Sequence, residues 1–186
     1  MTPIIFTNHI DEEYLWFGLV SGGFVGVIFI RSKGKRKEIM CQKESDKEYF
    51  RFPGGGVDAE DGSLAELKSQ DELLTVAKKT AVREVKEETG FQINHSRLKL
   101  IGISKGENEK DEKGGQIHVR IIFSYEFFEG EETPSGSHQI IEDSHLEKYE
   151  YRWVPIHNGR ADLEDAQVKL SRLHFFALVR YLRASR

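Results

Sequence analysis

Arg83-Glu84-Val85-Lys86-Glu87-Glu88-Thr89-Gly90-Phe91 places three carboxylates on one face of a helix. Glu87 and Glu88 follow Glu84 at spacings of three and four, and only Glu87 has a cation at helical spacing, Arg83. Like charges so placed repel by roughly 0.2–0.5 kcal/mol per pair. Gly90 is suited to close the helix, which sets Glu87 and Glu88 at the negative end of its dipole, at a further cost of about 0.3–1 kcal/mol each. A divalent cation with oxygen ligands removes both penalties, and magnesium commonly combines a few carboxylates with substrate phosphates.

Outward from this stretch, Leu74, Ala77, Ala81, Val85 and Glu88 mark one side of a helix predicted over Glu72–Thr89, with Glu84, Glu87 and Glu88 along its border. Before it runs a polar, acidic segment, Asp58–Glu72, and before that the turn Pro53-Gly54-Gly55-Gly56. Upstream, Leu15–Val20 and Phe24–Arg31 read as strands joined by a turn at Ser21-Gly22-Gly23. Ser32–Lys37 reads as a hairpin turn, and Glu38–Lys43 and Tyr49–Phe52 as short strands. Downstream, Leu98–Ser104, Ile117–Phe128 and Tyr149–Pro155 read as strands, the last stopped by its proline. Lys105–Gly115 and Glu129–Gly136 read as a charged loop and a turn. Asp162–Arg183 carries apolar residues in steps of three to four and reads as a helix. The alternation is too irregular for a doubly wound sheet, so a mixed sheet flanked by helices is expected.

The chain has 186 residues, 38% hydrophobic and 31% charged, with net charge −4, which suits one soluble domain and gives no electrostatic reason to expect nucleic-acid binding. The apolar stretch Trp16–Ile30 is too short and too glycine-rich for a membrane span, and acids rather than bases precede it. The lone Cys41 excludes an internal disulfide and suits a reducing cytoplasm.

The stretch 83–91, with the glycines at 54–56, resembles the Nudix box: glycine, five residues, Glu, seven residues, then Arg-Glu-apolar-x-Glu-Glu-x-Gly-apolar. The resemblance implies an α/β/α sandwich with a mixed, curved sheet, of mixed α+β or α/β class, formed by residues 1–186. It implies a hydrolase that cuts a nucleoside diphosphate linked to another group, using Mg2+ or Mn2+. Glu84, Glu87 and Glu88 would be metal ligands, one of them orienting the attacking water, and a carbonyl of Gly54 or Gly55 would complete the site. Arg83 would hold a neighbouring carboxylate, and Gly54, Gly55 and Gly56 would let the backbone approach metal and phosphate.

This chain departs from the pattern in one place. Five residues after Gly55 stands Asp61, and 21 residues, not seven, separate it from Arg83, so the loop holds about fourteen extra residues, roughly 58–74. The first acid of the box is displaced or replaced, with Glu60, Asp61, Asp71 and Glu72 as candidates. The insertion could act as a lid or as the contact of a homodimer. An inactive nucleotide-sensing or protein-interaction domain is the alternative function.

The marks of ADP-ribose, dinucleoside polyphosphate, coenzyme A and NADH subfamilies are absent, so the nucleotide stays open. Asp58–Lys68 fails as a calcium loop because Val57 and Lys68 would fall on its first and last ligand positions. His138 and His145, seven apart in an expected loop, do not suit zinc. Glu142, Asp143, Glu147 and Glu150 are solvated-loop acids that could supply a general base. Phe6, Tyr14, Trp16, Phe50 and Phe52 suit base stacking or core, while Trp153, Phe175 and Phe176 suit packing.

Overall fold

The computed structural model describes residues 4–11, 15, 20–107, 117–142 and 145–185, with backbone alone for 107, 140–142 and 145–147. Strand β1 (Val20–Lys33) is the spine of the sheet. Its side chains are apolar on both faces: Val25, Val27 and Phe29 enter one core, and Ile28 and Ile30 the other. A strand covered on both sides needs no polar alternation. The order is β4 (Lys99–Glu107), β5 (Ile117–Glu126), β1, β2 (Arg36–Glu44), β7 (His145–His157) and β6 (Ser137–Glu142). The short β3 (Gly54–Gly56) pairs with β1, and β8 (Arg160–Ala161) with β7. Among the named strands of the described residues only β1 and β5 run parallel, so the sheet is mixed.

Helix α1 (Gln70–Thr89) covers one face through Leu73, Val76, Ala77, Ala81 and Val85. Helix α2 (Arg172–Ala184) covers the other through Ala177, Leu178 and Tyr181. The result is the expected α/β/α sandwich. Ser69 caps α1 by accepting from the Glu72 N–H at 3.3 Å, while the Glu72 carboxylate reaches back to the Lys68 N–H at 2.7 Å. This pair starts the helix two residues before the expected Glu72. Gly90 ends it at φ 72°.

Several expectations need correction. Ser21-Gly22-Gly23 is no turn: β1 runs through it, with an irregularity against β5 between Val20 and Gly22. Of Leu15–Val20, residues 16–19 lie outside the described residues, as do Tyr14, 108–116 and Asp143. Pro155 does not stop β7. Its carbonyl accepts from Asp162 N–H at 3.0 Å, so its ring nitrogen also faces β8 and costs no bond to β2. Tyr49–Phe52 is held by isolated bridges, Arg51 to Gln42 and Phe50 to Leu170.

The last helix begins at Arg172, ten residues later than expected. Leu163, Ala166 and Leu170 do pack on the second core, but from irregular chain that Gln167 breaks at φ 53°. With the helix so placed, Phe175 turns outward at 46% exposure. His138 and His145 sit on β6 and β7 rather than in a loop.

At Gly90 a Cβ would stand 3.1 Å from the His138 ring and in a left-handed backbone. We therefore expect Gly90→Ala to cost about 1–2 kcal/mol. Urea denaturation of the two proteins measures it; an unchanged midpoint counts against this capping role.

Candidate functional site

The last two turns of α1 lie against the glycine turn of β3. Glu88 is 4% exposed and ties the two together. Its Oε2 accepts from Gly54 N–H at 2.7 Å and from Gln42 Nε2 at 2.6 Å, and its Oε1 accepts from Arg51 Nη2 at 2.5 Å. Its main-chain carbonyl accepts from Tyr151 Oη at 2.6 Å. Burial pushes the Glu88 carboxyl up to about 7, against the opposing pull of Arg51, the Gly54 N–H and Gln42.

Glu84 stands over Gly55, where an added Cβ would lie 2.3 Å from its Oε2. Only glycine leaves room for that carboxylate. Burial, with the charges of Glu87 and Asp58, raises the Glu84 carboxyl, while Arg83 opposes the rise. Glu87 is the open member, its side chain 48% exposed.

Arg83 gathers the acids. Its Nη1 donates to Glu84 at 2.9 Å and Glu87 at 3.1 Å, and its Nη2 to the Gly56 carbonyl at 2.9 Å. Its Nε and Nη2 donate to Asp61 at 3.2 and 2.8 Å. Asp58 and Glu60, both mostly exposed, lie 3.0 and 3.4 Å away and add little. Where the linear spacing gave a positive partner to Glu87 alone, the structure gives one to all three helix carboxylates. Arg83 serves two of them and Arg51 the third.

Of the four candidates for the displaced acid, Asp61 is the one that the structure buries against Arg83. It is 4% exposed and accepts from Arg83, from Thr80 Oγ1 at 3.0 Å and from Asp58 N–H at 3.1 Å. Burial would raise its carboxyl, but these donors outweigh burial and hold it below the usual range. Glu60 stays at the rim, while Asp71 and Glu72 lie in the first turn of α1 and Glu72 acts in its cap.

His174 braces the turn from the opposite face. Its Nδ1 accepts from Phe52 N–H at 3.2 Å, and its ring sits edge-on to Phe24 and Phe52. Burial first, then the Arg51 charge, pushes its imidazole down to about 3, so it is neutral. Phe6, Phe50 and Phe52 are core, not stacking platforms. Trp153 packs under the Arg31 guanidinium, 4.0 Å from its ring centroid, and bonds the Pro134 carbonyl. Glu150 is bonded to Arg152 at 2.7 Å, whereas the side chains of Glu142 and Glu147 lie outside the described residues.

Alongside α1 runs a groove of about 1180 Å³ lined by Glu60, Lys79, Arg83, Lys86, Glu87 and His138, among others. The carboxylates and glycine-turn carbonyls beside it are oxygen donors, which suit a hard divalent ion. Among the described residues, however, no three His, Cys, Asp or Glu side chains converge on one position that would hold a metal. The arginines stand between the carboxylates instead.

A family model for the NUDIX domain matches residues 23–174, which takes in the sheet, both arginines and the whole carboxylate set. The chain belongs to the NUDIX family. Two solved structures agree on the fold. The NUDIX domain of Shewanella oneidensis NrtR, complexed with ADP ribose, superposes with a TM-score of 0.53 at 11% identity, covering 88% of each chain. A NUDIX hydrolase from Listeria monocytogenes gives 0.52 at 17% identity, covering 87% of this chain and 92% of its own. A MutT/nudix family protein from Enterococcus faecalis gives 0.48 at 16% identity over 74% of this chain, which spans 46% of that longer protein. No curated protein sequence matches significantly.

In this NUDIX chain the residues that the linear motif did not disclose are Arg51, Gln42 and the anchoring partner Thr80. Gln42 had a signal, a polar residue directly after Ile39-Met40-Cys41 in a strand. Arg51 had a weaker one, a cation between the apolar Phe50 and Phe52.

The depressed Asp61 carboxyl gives a pH test. Its contribution is present above the unfolded value near 3.9 and is lost as pH falls through the lower folded value. Asp61→Asn should cost about 1.5–3 kcal/mol at pH 7. Urea melts at descending pH should show that gap closing below about pH 4; a constant gap would refute the assignment.

Proposed function

We propose that this NUDIX chain is a metal-dependent hydrolase acting on the pyrophosphate bond of a nucleoside diphosphate joined to another moiety. The observation that carries the reading is Glu84 standing over the bare backbone of Gly55, with Glu87, held by the same Arg83 nitrogen, on the groove wall. Glu84 and Glu87, with a carbonyl of the Gly54–Gly56 turn, would hold Mg2+ or Mn2+. Such an ion, when bound, offsets phosphate charge and lowers the pKa of an attacking water. Arg83 fixes the rotamers of both carboxylates through one nitrogen, Nη1. Glu88, the remaining carboxylate of the motif, positions Gly54 through its N–H. Lys79 and Lys86, on the groove wall, supply positive charge for the phosphates. The chain acts as one domain and works in the cytoplasm. No helix among the described residues is long and apolar enough to cross a membrane. The 58–74 insertion contributes Asp61 to the site, and a homodimer contact through its tip remains part of this proposal.

A second reading, ligand binding without turnover, is favoured by one observation: the carboxylates already have arginine partners. A screen of nucleoside diphosphate derivatives separates the two. Hydrolysis should require Mg2+ or Mn2+ and stop with excess EDTA. Nucleotide binding seen by calorimetry, without product under either metal, would establish the second reading. Glu87→Gln should lower kcat by roughly 10²-fold or more, the scale of losing one preorganised charge-stabilising group. Because Glu87 is exposed, its melting temperature should stay within a degree or two of the wild type, roughly what a small surface change produces. Undiminished kcat would remove Glu87 from the proposal.

A further inference from the structure

Gly54 and Glu88 are two of the ligands that the sequence motif assigns to a metal. Here one guanidinium binds both. Arg51 Nη1 donates to the Gly54 carbonyl at 3.2 Å, and Nη2 to Glu88 Oε1. Nη2 also meets Glu44 at 2.9 Å and Tyr149 Oη at 3.2 Å. The other Glu88 oxygen is taken by the Gly54 N–H and Gln42. The carboxylate thus has donors on both oxygens, and the Gly54 carbonyl has one as well.

We propose that Arg51 is a resident cation that fills the Glu88–Gly54 corner, confining divalent-ion binding in this chain to the Glu84–Glu87 edge. The arrangement is built into the chain. Arg51 is fixed by paired backbone bonds with Gln42, at 2.8 and 2.7 Å, so its side chain leaves the backbone beside the Gln42 amide that also holds Glu88. Two acids, Glu44 and Glu88, flank the guanidinium, so it stays fully charged. A guanidinium cannot be displaced by deprotonation, and its planar fork matches a carboxylate and a carbonyl at once. Bringing a divalent ion to the same corner would place it beside that fixed positive charge and would strip Glu88 of a bond inside a buried site. Both steps cost free energy, and removing the arginine removes both costs.

The inference rests on the metal-dependent reading above but has a readout apart from catalysis. In Arg51→Met, Glu88 keeps its burial and loses its cation, so a divalent ion becomes the available replacement. Thermal melts should show Arg51→Met destabilised in EDTA and raised by Mg2+ well beyond the rise seen in the wild type, because a ligand that binds only the folded state stabilises it. Titration with Mn2+ followed by electron paramagnetic resonance should show one additional ion per chain in Arg51→Met. Arg51→Lys, which restores a cation at this corner, should return both readouts to the wild-type pattern. If Arg51→Met proves too unstable to purify, Arg51→Gln, which retains hydrogen-bond donors without charge, should give the same two gains. Equal Mg2+ responses and equal Mn2+ counts in wild type and the neutral variants would overturn the inference. If the wild type hydrolyses no diphosphate yet the neutral variants gain the ion, the inference stands and the hydrolase reading falls. An active wild type with unresponsive variants overturns the inference alone.

Discussion

The buried Glu88 carboxylate is the tie on which the site depends. It joins the last turn of α1 to the Gly54 N–H, and through Gln42 and Arg51 it reaches β2 and the segment before the glycine turn. A charged group removed from water is tolerable only when its hydrogen-bonding capacity is met. Here the donors come from three separate parts of the chain, so the requirement to satisfy one side chain also fixes their relative positions. Glu84 then falls over Gly55, and the helical spacing sets Glu87 on the groove wall.

A crowd of acids calls for positive charge, and the protein supplies it from two arginines of different character. Arg83 lies on the helix and faces outward toward Asp61, Glu84 and Glu87. Arg51 comes from below and serves Glu88 and Glu44. The linear spacing found only the Arg83–Glu87 relation, because the other contacts arise from residues 22 to 37 positions apart or from neighbours whose geometry depends on the loop. A divalent ion is thus one of several cations in this site, and the chain divides its carboxylates among them.

The strong periodic signals were legible. β1 announced itself through Val25–Ile30, α1 through its apolar stripe, and the glycine turn through Gly54–Gly56. What misled was periodicity without context. Leu163, Ala166 and Leu170 have helical spacing, yet they bury from irregular chain because the second core receives them in that form. The glycines at 22 and 23 look like a turn, but pairing with β5 carries the strand straight through. β6 gave little sign, since Ser137-His138-Gln139 carries no apolar alternation and its strand state comes from pairing with β7. The contacts of Asp61 were also out of reach, because only the fold brings it against Thr80 and Arg83.

Asp61 clasps the inserted loop near its beginning, and Ser69 with Glu72 secures its far end at the start of α1. Between those fixings, residues 62–69 carry none of the carboxylates or arginines at the site. A segment pinned at both ends can be lengthened, trimmed or rewritten by evolution while the chemistry beside it stays in register. The same clasp absorbs the extra length of this box without pulling Arg83 off its carboxylates.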